Sequence, residues 1–306
     1  MNVLNIGAGV IGTTYAWQMH TAGCKVTHLV RSEKLQQYQT NGIEIHCLDL
    51  RKRGNQNVKE IYRPEFVDKL SPDNSYDYIL VSVNSNQIAD LLPSLKENSG
   101  KATIVILQNL RMGDDELIAS VLPQDKYLIA YPFKAGGGKN GNRIDNVIFD
   151  LPLTNTVLGE VSGEITDRAK KLYQLLKRAD MNPKIIKDII PYVRTHYVWG
   201  AVCVAAYIKA GSYDKFMEPE SIRESYLAMR EGWEICVRQG INPRAVSPTK
   251  LYYLPYPLLI PFTRWIYRQK GMREMFEGHV SHSPEEMKDM VYTLLNLGDK
   301  YQVNMP

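Results

Sequence analysis

The chain has 306 residues, 44% of them hydrophobic and 23% charged, and a formal net charge of +4. That length suits two domains, and that composition excludes a disordered or fibrous chain. The charge is mild, and beyond Arg51-Lys52-Arg53 no Lys/Arg run forms a phosphate-tracking stripe, so no nucleic-acid partner is expected.

The N-terminus runs directly into an apolar strand pattern over Met1–Ile6, with no basic leader and no cleavage site, so no secretion signal is expected. Gly12–Ala22 reads as a helix with Ala16, Trp17 and Met19 available for packing, and Lys25–Val30 as a second strand. Tyr76–Val83 and Thr103–Leu107 are continuously apolar, which fits strands buried on both faces. Helical patterns follow each of them, over Gln87–Lys96 and Gly113–Leu122. Strand, helix, strand, helix implies a parallel sheet with helices on both faces. Asn155–Val161 is a further strand, and Thr166–Ala179 an amphipathic helix with Ala169, Leu172, Leu175 and Leu176 on one face.

Past about Ile190 the strand patterns stop. Arg194–Lys209 is apolar nearly all round, as a helix at the centre of a helical domain would be, and Ser221–Gln239 and Glu285–Tyr301 are further helices. A boundary near residue 188 predicts an α/β domain over 1–188 and an all-helical domain over 189–306. The longest apolar stretches, His196–Ile208 and Leu251–Thr263, are too short to span a bilayer, and the second contains Pro255, Pro257 and Pro261. Cys24, Cys47, Cys203 and Cys236 form no CxxC pair, which fits buried free thiols in a reducing cytosol and a cytoplasmic location.

The stretch Gly7-Ala8-Gly9-Val10-Ile11-Gly12 is a G-x-G-x-x-G loop between a strand and a helix. A second strand follows about twenty residues on, the context a dinucleotide-binding fold requires. Gly7 would permit the tight turn, Gly9 the approach of backbone to a pyrophosphate, and Gly12 the packing of helix on strand; the helix N-terminus offers N–H groups to the anion. The competing reading is an ordinary glycine-rich turn. After the second strand stand Arg31, Ser32 and Lys34 instead of an acidic residue. A guanidinium suits a ribose 2′-phosphate and has no use for a diol, which favours NADP over NAD. The neighbouring Glu33 counts against it, and Arg31 is otherwise a solvated loop charge.

On "NIGAGVIG", Arg31, "YILVSVNSNQ" (78–87), "ILQNLRMGDDEL" (106–117) and a helical second half of matching size, the chain resembles the ketopantoate reductase (2-dehydropantoate 2-reductase) family. The resemblance implies a Rossmann-type domain followed by a helical one, as in 6-phosphogluconate dehydrogenase-like folds, with NADPH in the cleft between them. It implies reduction of a 2-keto acid to a 2-hydroxy acid. Asn109 matches the family asparagine near nicotinamide and substrate. Asn84 stands where several members carry a lysine near the adenosine end. Glu286 aligns with the glutamate that opens the last long helix, although Ser283-Pro284-Glu285-Glu286 is also a capping-box pattern. The loop Asn109-Leu110-Arg111-Met112-Gly113 is one residue longer than the family's, and Arg111 reads either as an anion clamp or as a solvated loop residue.

The resemblance departs at the proton donor. Laid on the first helix of the second domain, the family's catalytic lysine falls on Ala201 and the asparagine one turn on falls on Ala205; Lys209 lies two turns too late. His196, with Arg194 beside it, is the replacement acid this reading prefers, against a buried structural histidine; Lys134, otherwise a loop cation, and His282, as a substrate contact, are the other candidates. His279, His282 and Glu286 could meet around a metal, but Ser283-Pro284 interrupts the helical spacing and no metal is expected. The aromatic, proline-rich segment 251–267 has no family counterpart and reads as core, pocket lining or dimer surface.

The expectation is therefore an NADPH-dependent reductase of a carbonyl substrate, possessing Asn109, His196 and Glu286 as catalytic residues, acting on something other than ketopantoate, and free to form a homodimer through its helical domain. The alternatives are a non-catalytic NADPH sensor and an opine- or imine-type dehydrogenase in which Arg111 holds a carboxylate.

Overall fold

The computed structural model describes residues 1–51, 56–151, 154–274, 276–277 and 284–305, apart from the side chains of Pro284 and Glu286. The chain divides into two compact units, Met1–Ile189 and Ile190–Pro306.

The first unit opens with strand β1 (Asn2–Ile6), helix α1 (Val10–Thr21), β2 (Lys25–Leu29) and α2 (Ser32–Asn41). Then come β3 (Ile43–Asp49), β4 (Gln56–Tyr62), β5 (Glu65–Val67), β6 (Tyr78–Val81), α3 (Ile88–Asn98), β7 (Thr103–Leu107) and α4 (Asp114–Val121). It closes with β8 (Tyr127–Pro132), β9 (Ala135–Asn140), β10 (Arg143–Ile148), β11 (Thr156–Gly159), α5 (Asp167–Arg178) and β12 (Pro183–Ile185). The main sheet has eight strands in the order β12-β11-β8-β7-β6-β1-β2-β5. From β5 to β8 every neighbouring pair is parallel, and β11 runs antiparallel to β8. The order reverses direction at β1, between β2 and β6, which is where an open α/β sheet places its ligand crevice.

A second sheet of four strands, β4-β3-β10-β9, lies over α1. It explains why α1 is buried along Gly12–Met19 with no polar face. Tyr15, Ala16 and Met19 pack against the main sheet and α5, while Val10 and Trp17 pack with Ile43, Ile45, Tyr62 and Ile148. Trp17 Nε1 donates to Glu60 Oε1 of β4 at 2.5 Å. Arg51, at the end of β3, pairs with Asp49 at 2.6 Å and donates to Gln18 Oε1 of α1 at 2.9 Å. That arginine of the basic cluster is thus engaged within the fold; Lys52 and Arg53 lie outside the described residues.

The second unit carries α6 (Ile189–Ala210), α7 (Tyr213–Phe216), α8 (Pro219–Arg238), α9 (Tyr256–Tyr267) and α10 (Pro284–Tyr301). The first of these starts five residues before the Arg194 expected from the sequence, because Pro191 falls in the first helical turn, where a missing N–H costs nothing. Trp233 of α8 is fully buried and donates to Thr195 O of α6 at 2.9 Å. Phe216, Tyr213, Tyr267 and Phe276 form an aromatic cluster with ring centres 5.4–6.3 Å apart. The proline-rich segment is divided: Leu259 and Tyr267 of α9 are buried, whereas Leu258, Phe262 and Trp265 are exposed. No helix among the described residues is long and apolar enough to cross a membrane.

Candidate functional site

The loop between β1 and α1 is held from beneath. Gly7 has φ +95°, which only glycine adopts without strain. Its N–H donates to Leu29 O at 2.8 Å, and its carbonyl accepts from Asn5 Nδ2 at 2.9 Å and lies 3.0 Å from His28 Nδ1. Asn5 and His28 are both completely buried. Burial pushes the His28 imidazole down to about 4, so it is neutral at physiological pH. Its neutral Nδ1–H tautomer is the one that donates to Gly7 O.

Above the loop the backbone is open. Gly9 is the N-cap of α1, with no side-chain cap and no acidic residue in the first turn. A Cβ at Gly9 would meet nothing nearer than Ser82 O at 4.0 Å. The fold therefore does not itself require glycine there, and the space above the uncapped N–H groups of α1 fits an anion. Gly12 is the opposite case: a Cβ there would lie 1.9 Å from Ser82 Oγ.

A cleft of about 760 Å³ lies at the carboxyl ends of β1, β2 and β6, lined by Gly7, Ala8 and Gly9 on one side and by Arg31, Lys34 and Tyr38 on another. Arg31 is the N-cap of α2 and is exposed, and no hydrogen bond or ion pair engages its guanidinium among the described residues. Asn84, also exposed, lines the β6 side with Gln87 and Asp90.

Of the residues expected from the sequence to bind a cofactor, Gly7, Ala8, Gly9, Arg31 and Asn84 line this cleft; Val10, Ile11, Gly12, Ser32 and Asn109 do not. Val10 and Ile11 turn their side chains into the two cores on either side of α1, and Gly12 faces Ser82. Ser32 is the first residue of α2. Asn109 is half-buried two residues past the end of β7, and beside it Gln108 is 6% exposed with neither amide atom hydrogen-bonded.

Arg111 is partly exposed and engaged within the fold. Its guanidinium pairs with Asp114 at 3.3 Å and donates to Ser85 O at 3.3 Å, tying the loop after β7 to the loop after β6. Lys134 is buried in the turn between β8 and β9, with Nζ 3.7 Å from Asp150, and burial lowers its pKa.

In the second unit, His196 is 8% exposed in α6 and packs between Tyr192 (5.8 Å) and Trp199 (4.8 Å). Desolvation pushes it down to about 3, so at neutral pH it carries no imidazolium proton. This is the residue the sequence reading named as proton donor, and its burial disfavours the charged ring. Ala201 is buried in the same helix. His279, His282 and the side chain of Glu286 lie outside the described residues, among which no group of His, Cys, Asp or Glu could hold a metal.

The sequence reading missed Lys139 of β9, which lines the cleft and donates to Ala8 O at 2.6 Å. Its one signal was a lone cation inside the glycine-rich run "GGGKNG".

Residues 3–147 match the family described as Ketopantoate reductase PanE/ApbA. Among solved structures, the chain is similar to D-mandelate dehydrogenase in complex with NADH, at 15% identity over 100% of this chain and 94% of that one, with a TM-score of 0.72. It is similar to 2-dehydropantoate 2-reductase from Geobacter metallireducens GS-15, at 16% identity over 100% and 96% of the two chains, with a TM-score of 0.71. The enzyme of that name from Methylococcus capsulatus is 18% identical over 99% of both chains, with a TM-score of 0.62. No curated protein matches the sequence. At these identities the structures establish the fold: an α/β parallel-sheet domain followed by a helical region.

Proposed function

We propose, from the match of residues 3–147 to the ketopantoate reductase PanE/ApbA family, an NADPH-dependent oxidoreductase that reduces the carbonyl of a 2-keto acid or a related compound to an alcohol. The observation that carries the reading is the glycine loop: an uncapped helix N-terminus above Gly9, beside a rim bearing Arg31 and Lys34. When bound, the reduced nicotinamide supplies a hydride. The backbone of Gly7–Gly9 would hold the dinucleotide phosphates, and Arg31 would hold the adenosine 2′-phosphate. One neighbouring fold binds NADH; Arg31 and Lys34 are what favour the phosphorylated coenzyme here.

Asn109 orients substrate and nicotinamide, and Glu286 holds a cofactor ribose or a substrate hydroxyl. His196 would donate a hydrogen bond as a neutral imidazole to the developing alkoxide, a role a depressed pKa permits, and the proton that completes the alcohol would come from solvent. Ala201 has no proton to give, so ketopantoate itself is not the expected substrate. The helical unit is the expected seat of a homodimer, favoured by the exposed Leu258, Phe262 and Trp265; sedimentation of wild type against Trp265→Glu tests it. Four free, buried thiols favour the cytoplasm.

A second reading is a dinucleotide-binding sensor without turnover, favoured by Ala201 together with an uncharged His196. The opine-type reading would need Arg111 to hold a carboxylate while paired with Asp114, and the pairing favours it less. The test is a coenzyme-consumption screen over 2-keto acids and aldehydes, ketopantoate included, with NADPH and NADH titrated in parallel. Turnover of a panel member with NADPH preferred supports the reductase. Tight NADPH binding without turnover of any member supports the sensor. Preference for NADH in wild type overturns the role given to Arg31.

A further inference from the structure

Lys139 stands near the end of β9, in the sheet that covers α1, and its side chain reaches the glycine loop. Nζ donates to Ala8 O at 2.6 Å and to Tyr38 Oη at 2.8 Å, and lies 5.5 Å from the centre of the Tyr38 ring. Tyr38 is itself fixed, stacked on Phe66 at 5.4 Å and buried. An ammonium has three N–H donors, and these two bonds use two of them. Lys139 is only half-buried and lines the cleft that Arg31 and Lys34 line.

The tie to Tyr38 decides which anion the third donor meets. A pyrophosphate belongs over the N-terminus of α1, where peptide N–H groups already await it. Lys139 is bonded both to the loop at Ala8 O and to the helix that Arg31 caps, which places its ammonium on the α2 side of the loop. A phosphomonoester there carries close to two negative charges and calls for more than one cation, whereas a ribose diol calls for a hydrogen-bond acceptor. Asp68 and Asp90 are the acidic residues that line the same cleft.

We propose that Lys139 is a specificity-determining residue for the coenzyme: with Arg31 and Lys34 it forms the site for the 2′-phosphate of the adenosine ribose, while its other two N–H groups hold the glycine loop against α2. The proposal rests on the dinucleotide reading above. It also gives the second sheet a role in coenzyme choice, since β9 delivers the charge.

Lys139→Gln tests it, because an amide can still donate to Ala8 O or Tyr38 Oη but carries no charge. Calorimetry would compare NADPH with NADH, and adenosine 2′,5′-bisphosphate with 5′-ADP, on wild type, Lys139→Gln and Lys139→Arg. The expected result is a loss of about tenfold for NADPH and the 2′,5′-bisphosphate in Lys139→Gln, with NADH and 5′-ADP changed less than about twofold, and retention of the preference in Lys139→Arg. Urea unfolding of each variant reports whether the fold survives. Equal losses for the phosphorylated and unphosphorylated ligands overturn the proposal and leave Lys139 a loop clamp. A wild-type protein that already prefers NADH overturns the coenzyme reading, and the proposal with it.

Discussion

Gly12 and Ser82 are in a contact that admits no methyl group. A Cβ on Gly12 would lie 1.9 Å from Ser82 Oγ and 2.5 Å from Asn5 Oδ1. Ser82 Oγ donates to Asn5 Oδ1 at 3.3 Å, and Asn5 in turn holds Gly7 O. Gly12→Ala therefore pushes on the network that shapes the loop and is expected to cost about 1–3 kcal/mol of stability in urea unfolding. Gly9→Ala meets no such neighbour. Its stability should stay within about 0.5 kcal/mol of wild type while NADPH affinity falls at least about tenfold. Wild-type affinity in Gly9→Ala would move the dinucleotide off this loop.

The contrast shows what was legible beforehand. The glycine spacing located the cleft because turn geometry and close packing leave a mark in residue type at fixed offsets. The parallel strands β1, β6 and β7 were legible as apolar runs, and α5 and α8 as helical patterns. The second sheet was overlooked. Its strand β3, "IEIHCLD", alternates buried and less buried residues and could have been found. Its strand β9 could not, since "AGGGKN" reads as loop by propensity and is a strand only through pairing with β10. Lys139 was hidden with it. Likewise, nothing in the spacing of Asn5 and His28 announces that both converge on one carbonyl; adjacency of parallel strands brings them there.

His28 gives the protein an acid-sensitive foundation. Its imidazole titrates near 6.5 in an unfolded chain and at about 4 in the fold, because burial disfavours the charged ring. The unfolded state thus binds more protons between those values, so stability is present above about pH 6.5 and is lost as pH falls toward about 4. The shift corresponds to about 3 kcal/mol. His196, pushed down to about 3, adds in the same direction. His28→Gln keeps a donor for Gly7 O and removes the titration. Its unfolding free energy should fall less steeply than wild type's from pH 6.5 to 4; identical slopes would show that His28 is not a titrating element of stability.

Arg111 is expected to matter for stability before it matters for substrate. Asp114 is 5% exposed, and burial raises its pKa even with Arg111 beside it. Removing the guanidinium leaves that carboxylate without its counter-charge, with the backbone N–H of residue 111 still donating to it at 3.0 Å, and frees Ser85 O. Arg111→Ala should cost about 2 kcal/mol, discounted from a fully buried pair because the arginine is partly solvated. The double variant Arg111→Ala/Asp114→Asn should lose less than the sum of the singles. Additivity in that cycle, together with a raised KM for keto acids in Arg111→Ala alone, would return Arg111 to the role of a substrate clamp.

His196 separates two chemistries by pH. If it donates as a neutral imidazole, its own ionisation lies near 3, below the range in which the fold is assayed. The profile of kcat/KM against pH, taken with whichever carbonyl compound turns over, should then show no step near 6.5 that His196→Gln abolishes. His196→Ala should still lower kcat by about tenfold to a hundredfold, the effect of removing one donor from a developing oxyanion. An unchanged kcat in His196→Ala would assign the histidine to packing between Tyr192 and Trp199. A step near 6.5 present in wild type and absent in the glutamine variant would instead mean that bound substrate raises the imidazole by more than three units, as a carboxylate brought against a desolvated ring could do, and that the proton itself is delivered from His196.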